Sequence, residues 1–220
     1  MSNGNVHDFA ERLAFSHAAG AEEAAWVRFY QDVWPTATVI VRIDAKSKYQ
    51  EIGIDRHVYL PGGKILAIDE KVRDPIKAVD RDGDPYDDIL IEEFSVWLGE
   101  RHPKNKVGWT LDPHKQCDYI AYAIPRLNRC YLMAFELLRL AAAARLDEWK
   151  RLRDRKGRRC YPLDALNRGY QTRNCAVSWE RLTAAISEQS VRSYGSGNLA
   201  LPVPIIQTKQ AVFEWSGDDE

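Results

Sequence analysis

The chain has 220 residues, of which 45% are hydrophobic and 29% charged, with a net charge of −1 at pH 7. That is enough for one domain with a substantial core and is ordinary for a globular protein. No apolar run approaches the roughly 20 residues needed to cross a bilayer, and MSNGNVHDFAER at the amino terminus has no charged-then-apolar signal pattern, so no membrane partner and a cytoplasmic location are expected. Four cysteines, at 117, 130, 160 and 175, form no CxxC pair and have no zinc-type spacing with the five histidines, which reads as reduced structural thiols.

Residues 8 to 34 have helical character, broken near Gly20; Trp26, Phe29, Tyr30, Val33 and Trp34 recur at helical spacing and Pro35 ends the run. Residues 38 to 43, TVIVRI, are β-branched and read as a strand, and residues 44 to 50 as a polar loop. The stretch GIDRHVYLPGGKILAIDEKVR, residues 53 to 73, reads as a β-hairpin: one strand from Ile54 to Leu60, a Pro61-Gly62-Gly63 turn, and a second strand from Lys64 to Arg73. Strand side chains alternate, so Asp69 and Lys71 leave one face and Glu70 the other. Folding about the turn brings Asp55 near the register of Asp69 and Lys71. Two hard oxygen ligands and one ammonium are the groups that metal-assisted phosphodiester hydrolysis uses: Asp55 and Asp69 to hold Mg²⁺, with Mn²⁺ as a substitute, and Lys71 to position a water or offset phosphate charge. His57, two residues on from Asp55, shares its face.

Residues 74 to 88, DPIKAVDRDGDPYDD, form an acidic loop whose ligand spacing is not that of an EF-hand. Ile89 to Trp97 is the next strand, and CDYIAYAI another. Arg129 to Arg155 reads as the longest helix, Tyr170 to Val177 as a short strand, and Ser178 to Ser187 as a helix capped by Ser178. Residues 191 to 220 carry little periodic apolar surface and read as an extended tail behind a single domain over residues 1 to 190.

The order of Asp55, hairpin turn and Asp69-Glu70-Lys71, with a preceding amphipathic helix and the later stretch GWTLDPHKQCDYIAYAIP, resembles the PD-(D/E)XK nuclease superfamily over roughly residues 10 to 190. Ile54 stands where that signature has proline. The resemblance implies a restriction-endonuclease-like α/β fold with a mixed central sheet flanked by helices, and a Mg²⁺-dependent nuclease acting on DNA, with RNA left open. It also implies an assisting carboxylate from the first helix, Glu22, a further strand beside the catalytic one that carries Glu92 and Glu93, and a phosphate contact at Lys115. The alternative is a catalytically silent member of the fold that binds nucleic acid or a protein.

Charge is distributed unevenly. Residues 1 to 100 carry 11 Lys and Arg against 19 Asp and Glu, whereas residues 101 to 175 carry 17 against 7. The segment KRLRDRKGRR, residues 150 to 159, is the densest basic run. Lys150, Arg151, Arg153 and Arg155 are its expected nucleic-acid contacts.

Overall fold

A computed structural model describes residues 20–44, 47–73, 79, 82–195 and 205–207. The chain forms two compact units that interleave in sequence, where composition pointed to one domain. Both hold a sheet and helices, so the class is mixed α/β as expected.

The first unit takes the described residues up to Asp87, then Gln116–Phe135 and residues 205–207. Its helix α1 (Gly20–Val33) is followed by strand β1 (Val39–Arg42), a single helical turn α2 (Lys48–Glu51) capped by the Ser47 side chain, and strands β2 (Arg56–Tyr59) and β3 (Ile65–Val72). The expected helix over residues 8 to 19 lies outside the described residues. Gly62 and Gly63 both sit at φ 79° in the turn joining β2 to β3, a left-handed conformation that a Cβ disfavours, which is why PGG closes this hairpin. Strands β6 (Tyr119–Ile124), β7 (Arg129–Ala134) and β10 (Ile205–Gln207) complete a six-stranded sheet in the order β1-β2-β3-β6-β7-β10, with β6 parallel to β3 and every other pairing antiparallel. All six residues of β6 are buried, the continuous apolar pattern of a strand covered on both faces.

One face of this sheet is covered by α1. Ala25, Trp26, Phe29 and Tyr30 are buried along one side of the helix, Trp34 stacks on Tyr30, and Trp34 meets Tyr119 edge-on with ring centroids 5.7 Å apart. Each such buried aromatic contributes on the order of 2 kcal/mol.

The second unit takes Asp88–Lys115 and the described residues from 136 to 195. Its strands are β4 (Asp88–Trp97), β5 (Lys106–Val107), β8 (Leu163–Asn167) and β9 (Tyr170–Ser178), in an antiparallel sheet of order β5-β4-β9-β8. Helix α4 (Trp179–Gly195) packs on β4 and β9, and α3 (Phe135–Trp149) leads out of β7.

Several expectations are corrected here. Arg129 to Ala134 is a strand, not the start of the long helix: Pro125 to Leu127 makes a 3-10 turn, Asn128 takes φ 49°, and the chain reverses into β7. The helix that follows stops at Trp149, so KRLRDRKGRR is turn and bridge, with Arg153 paired to Arg159. Strand β4 is not a neighbour of β3; that place belongs to β6. The expected strand from Tyr170 is nine residues long and pairs with β8, and the helix expected to end at Ser187 runs to Gly195. Within the expected tail, Ile205–Gln207 is an edge strand on β7. Part of the acidic loop, residues 74–78 and 80–81, lies outside the described residues; Val79 bridges Pro85 within it.

Candidate functional site

The β2–β3 ladder ends at the pair of Arg56 with Ile68, and just beyond it Asp55 lies beside Asp69. Asp55 N–H donates at 2.8 Å to the carbonyl of Ile68, the residue paired with Arg56, so the strand departs from regular pairing at this position. Alternation along β3 sets its side chains on two faces, and the contacts of Asp55 place it with Asp69 and Lys71. Asp55, Asp69 and Lys71 share one face, while Glu70 points to the face covered by α1, as read from the sequence.

Asp69 is 2% exposed and Lys71 30%, and Lys71 Nζ donates to Asp69 Oδ1 at 2.6 Å. Asp55 is half-buried; its Oδ2 accepts the Glu70 N–H at 2.7 Å, and its carboxyl shares a hydrogen bond with Asp69. Burial, that hydrogen bond and the negative charge of Asp69 push the Asp55 carboxyl up to about 7, against the opposing pull of Lys71 and of the Glu70 N–H. Two carboxyls this close resist being ionised together, and a cation between them would offset that repulsion.

The other candidates fall elsewhere. Glu22 lies in α1, but its side chain is outside the described residues; its neighbour Glu23 is directed to Arg56 on the far face of the sheet. His57 has edge-on contacts with Tyr49 and Tyr59, at 5.5 and 6.3 Å between centroids, on the same strand face as Asp55. Glu92 and Glu93 belong to the second unit. Glu92 accepts the Trp109 N–H at 3.2 Å, and Glu93 takes the Lys150 ammonium at 2.5 Å. Lys115 also lies in the second unit, its ammonium 5.9 Å from the Trp109 ring centroid. Of the basic run, Lys150 is half-buried on Glu93, Arg155 pairs with Glu180 on an exposed surface, Arg153 donates to Gly157 O, and Arg151 is exposed.

Sequence reasoning missed the buried cluster behind the acid pair. Arg56 donates to both oxygens of Glu23, at 2.6 and 2.9 Å, and through Nε to Glu70 Oε1 at 2.5 Å; Tyr30 OH donates to that same oxygen at 2.9 Å. The signal was present. Arg56 and Glu70 are opposite charges in the same alternating column as Val58, Leu66 and Ile68 on two strands that pair.

Among the described residues no group of three or more His, Cys, Asp or Glu side chains is arranged to hold a metal ion, and no helix is long and apolar enough to cross a membrane. Compared with known proteins, the chain matches no family, no curated protein and no solved structure.

Proposed function

We propose that this protein is a Mg²⁺- or Mn²⁺-dependent nuclease of the PD-(D/E)XK kind, with DNA as substrate. The observation that carries the reading is the closeness of Asp55 and Asp69 at the end of the β2–β3 ladder, with Lys71 hydrogen-bonded to Asp69. The donor set fits the ion. Mg²⁺ is held by one or two carboxylates together with waters and substrate phosphate oxygens, and two aspartates side by side offer that minimum. Bound there, the ion would polarise the scissile phosphoryl group and lower the pKa of a water.

The residues of the chain then divide the work. Asp55 and Asp69 would hold the cation once Asp55 has lost its proton. Lys71 is more exposed than the Asp69 it pairs with, and its ammonium would offset charge developing on the phosphate or orient the attacking water. Beside the pair on the same strand face, His57 and Tyr59, with Tyr49 against them, offer aromatic surface on which a base can stack. Incubation with single-stranded, linear duplex and circular DNA, with Mg²⁺ or Mn²⁺ and then with chelator, tests the reading. Cleavage that needs the metal and is lost in Asp69→Asn supports it; metal-independent cleavage, or none on any of these substrates, rejects it.

A second reading is a silent member of the same fold that binds nucleic acid or protein. It is favoured by the ammonium of Lys71 already occupying one oxygen of Asp69, and by the absence of a third carboxylate, histidine or cysteine completing the pair among the described residues. Calorimetry with Mn²⁺ separates the two: no binding at the pair means no metal chemistry.

A further inference from the structure

Directly behind the acid pair, the sheet buries charge where the rest of that face buries hydrocarbon. Val58, Leu66 and Ile68 share the face with Arg56, which is 0% exposed and held by Glu23 and Glu70, with the Tyr30 ring centroid 5.6 Å from its guanidinium. The hydrogen bond from Arg56 lowers the Glu23 carboxyl below its ordinary range, while burial raises the Tyr30 phenol well above its own, so the tyrosine stays a donor. For Arg56, burial alone would favour loss of the proton, but the hydrogen bond to Glu23 and the charge of Glu70 outweigh it and hold the guanidinium charged.

Such a cluster is a poor way to gain stability. Desolvating the charges offsets most of their attraction, and apolar side chains of similar volume commonly do as well or better. Its position in the chain points to a different use. Arg56 follows Asp55, and Glu70 follows Asp69; the N–H of Glu70 is the donor to Asp55 Oδ2. A one-residue slip between β2 and β3 would send one aspartate to the opposite face and leave Arg56 buried without its fork of acceptors. Only the observed register satisfies the cluster and brings the two acids together at once.

We propose that Glu23, Arg56, Glu70 and Tyr30 form a positioning device for the acid pair: they pin β2 to β3 in the register that ends at Arg56 and Ile68 and so brings Asp55 beside Asp69, and hold the Glu70 N–H on the Asp55 carboxyl. Its metal consequence rests on the reading of the pair as a cation site; the positioning itself does not.

The test therefore uses two readouts. In metal-free protein, the backbone amide at position 70 is followed by ¹H–¹⁵N correlation spectra and hydrogen exchange; with metal, Mn²⁺ affinity is measured by calorimetry. A Glu23→Leu/Arg56→Met/Glu70→Leu triple variant, which keeps the volume and removes the charges, is expected to stay folded while that amide shifts upfield and exchanges at least about tenfold faster. Mn²⁺ affinity should fall about 10- to 100-fold, as for loss of groups that orient metal ligands. Arg56→Lys, which keeps the charge but not the fork, should fall between. A folded triple variant whose amide and Mn²⁺ affinity match the wild type overturns the proposal. If the triple variant does not fold, Glu70→Ala is read by the same amide, and an unchanged exchange rate overturns it equally. A wild type that binds no Mn²⁺ yet loses its position-70 protection in these variants rejects the metal reading and leaves the positioning device standing.

Discussion

Asp55 and Asp69 lie side by side at the end of the β2–β3 ladder, so the fold itself holds two carboxyls together, and the pH dependence of the first unit follows from that. The Asp55 carboxyl is pushed up to about 7, far above the value near 4 that an unfolded chain gives it. A raised carboxyl binds its proton more tightly folded than unfolded. The stabilisation is therefore complete below about pH 4 and is lost as the pH rises through about 7. The melting temperature of the metal-free protein should fall between pH 4 and 7 by this contribution, and Asp55→Asn, which cannot titrate, should flatten that part of the profile. Cation binding runs the other way. Mn²⁺ competes with the Asp55 proton, so its affinity should rise by up to about tenfold per pH unit toward pH 7 and level off above it, a profile that calorimetry at five or six pH values would resolve. An affinity indifferent to pH over that range would place the ion elsewhere. On activity, Asp69→Ala and Lys71→Ala should each reduce cleavage about 100-fold or more in single-turnover assays, as for loss of a ligand or of a charge stabiliser.

At the scale of the element, the hairpin was legible because its signals are local: alternation fixed which residues share a face, and PGG fixed where the chain turns. The cluster behind it was not read, since a lone Arg in a strand looks like a surface residue until its partner strand is laid beside it. Arg129 to Ala134 was read through as helix because Tyr131, Leu132 and Met133 suit either state; Pro125 and Asn128 carried the contrary signal, a tight reversal between two strands. The β8–β9 hairpin turns on Arg168-Gly169, with Gly169 at φ 86°, in a stretch whose charges obscure its alternation. Gly108 marks a close approach of another kind. A Cβ there would collide with the backbone carbonyl of Glu92, while Gly108 N–H donates to Glu93 O at 2.8 Å, so the segment after β5 lies directly on β4. Backbone cannot move aside as a flexible side chain can. Gly108→Ala should cost about 1–3 kcal/mol by denaturant unfolding, and a variant within 0.5 kcal/mol of wild type, to roughly the error of such measurements, would show that the segment shifts freely.

For the whole molecule, the uneven charge of the sequence corresponds to the division into units: the acid pair belongs to the first, and the basic run of residues 150 to 159 to the second. Sequence alone treated that run as uniform, and the structure sorts it. Lys150 is committed to Glu93, and the pairing of Arg155 with Glu180 is exposed and weak, while Arg151, Lys156 and Arg159 face solvent. Each cation that neutralises a phosphate releases counterions, so affinity for duplex should fall by about 0.9 log units per tenfold rise in salt for every such contact. With an uncleaved duplex in Ca²⁺, replacing Arg151, Lys156 and Arg159 with Gln should weaken binding of all sequences alike and flatten that slope by up to about 2.7 log units per decade. Lys150→Gln should act differently, because it leaves the half-buried Glu93 without its cation: the loss should be seen first in melting temperature and only secondarily in affinity. If the three exposed substitutions leave both affinity and slope unchanged, the run is a solvated surface, and the phosphate contacts of a nuclease must come from the first unit, where Lys71 stands on the same face as the acids.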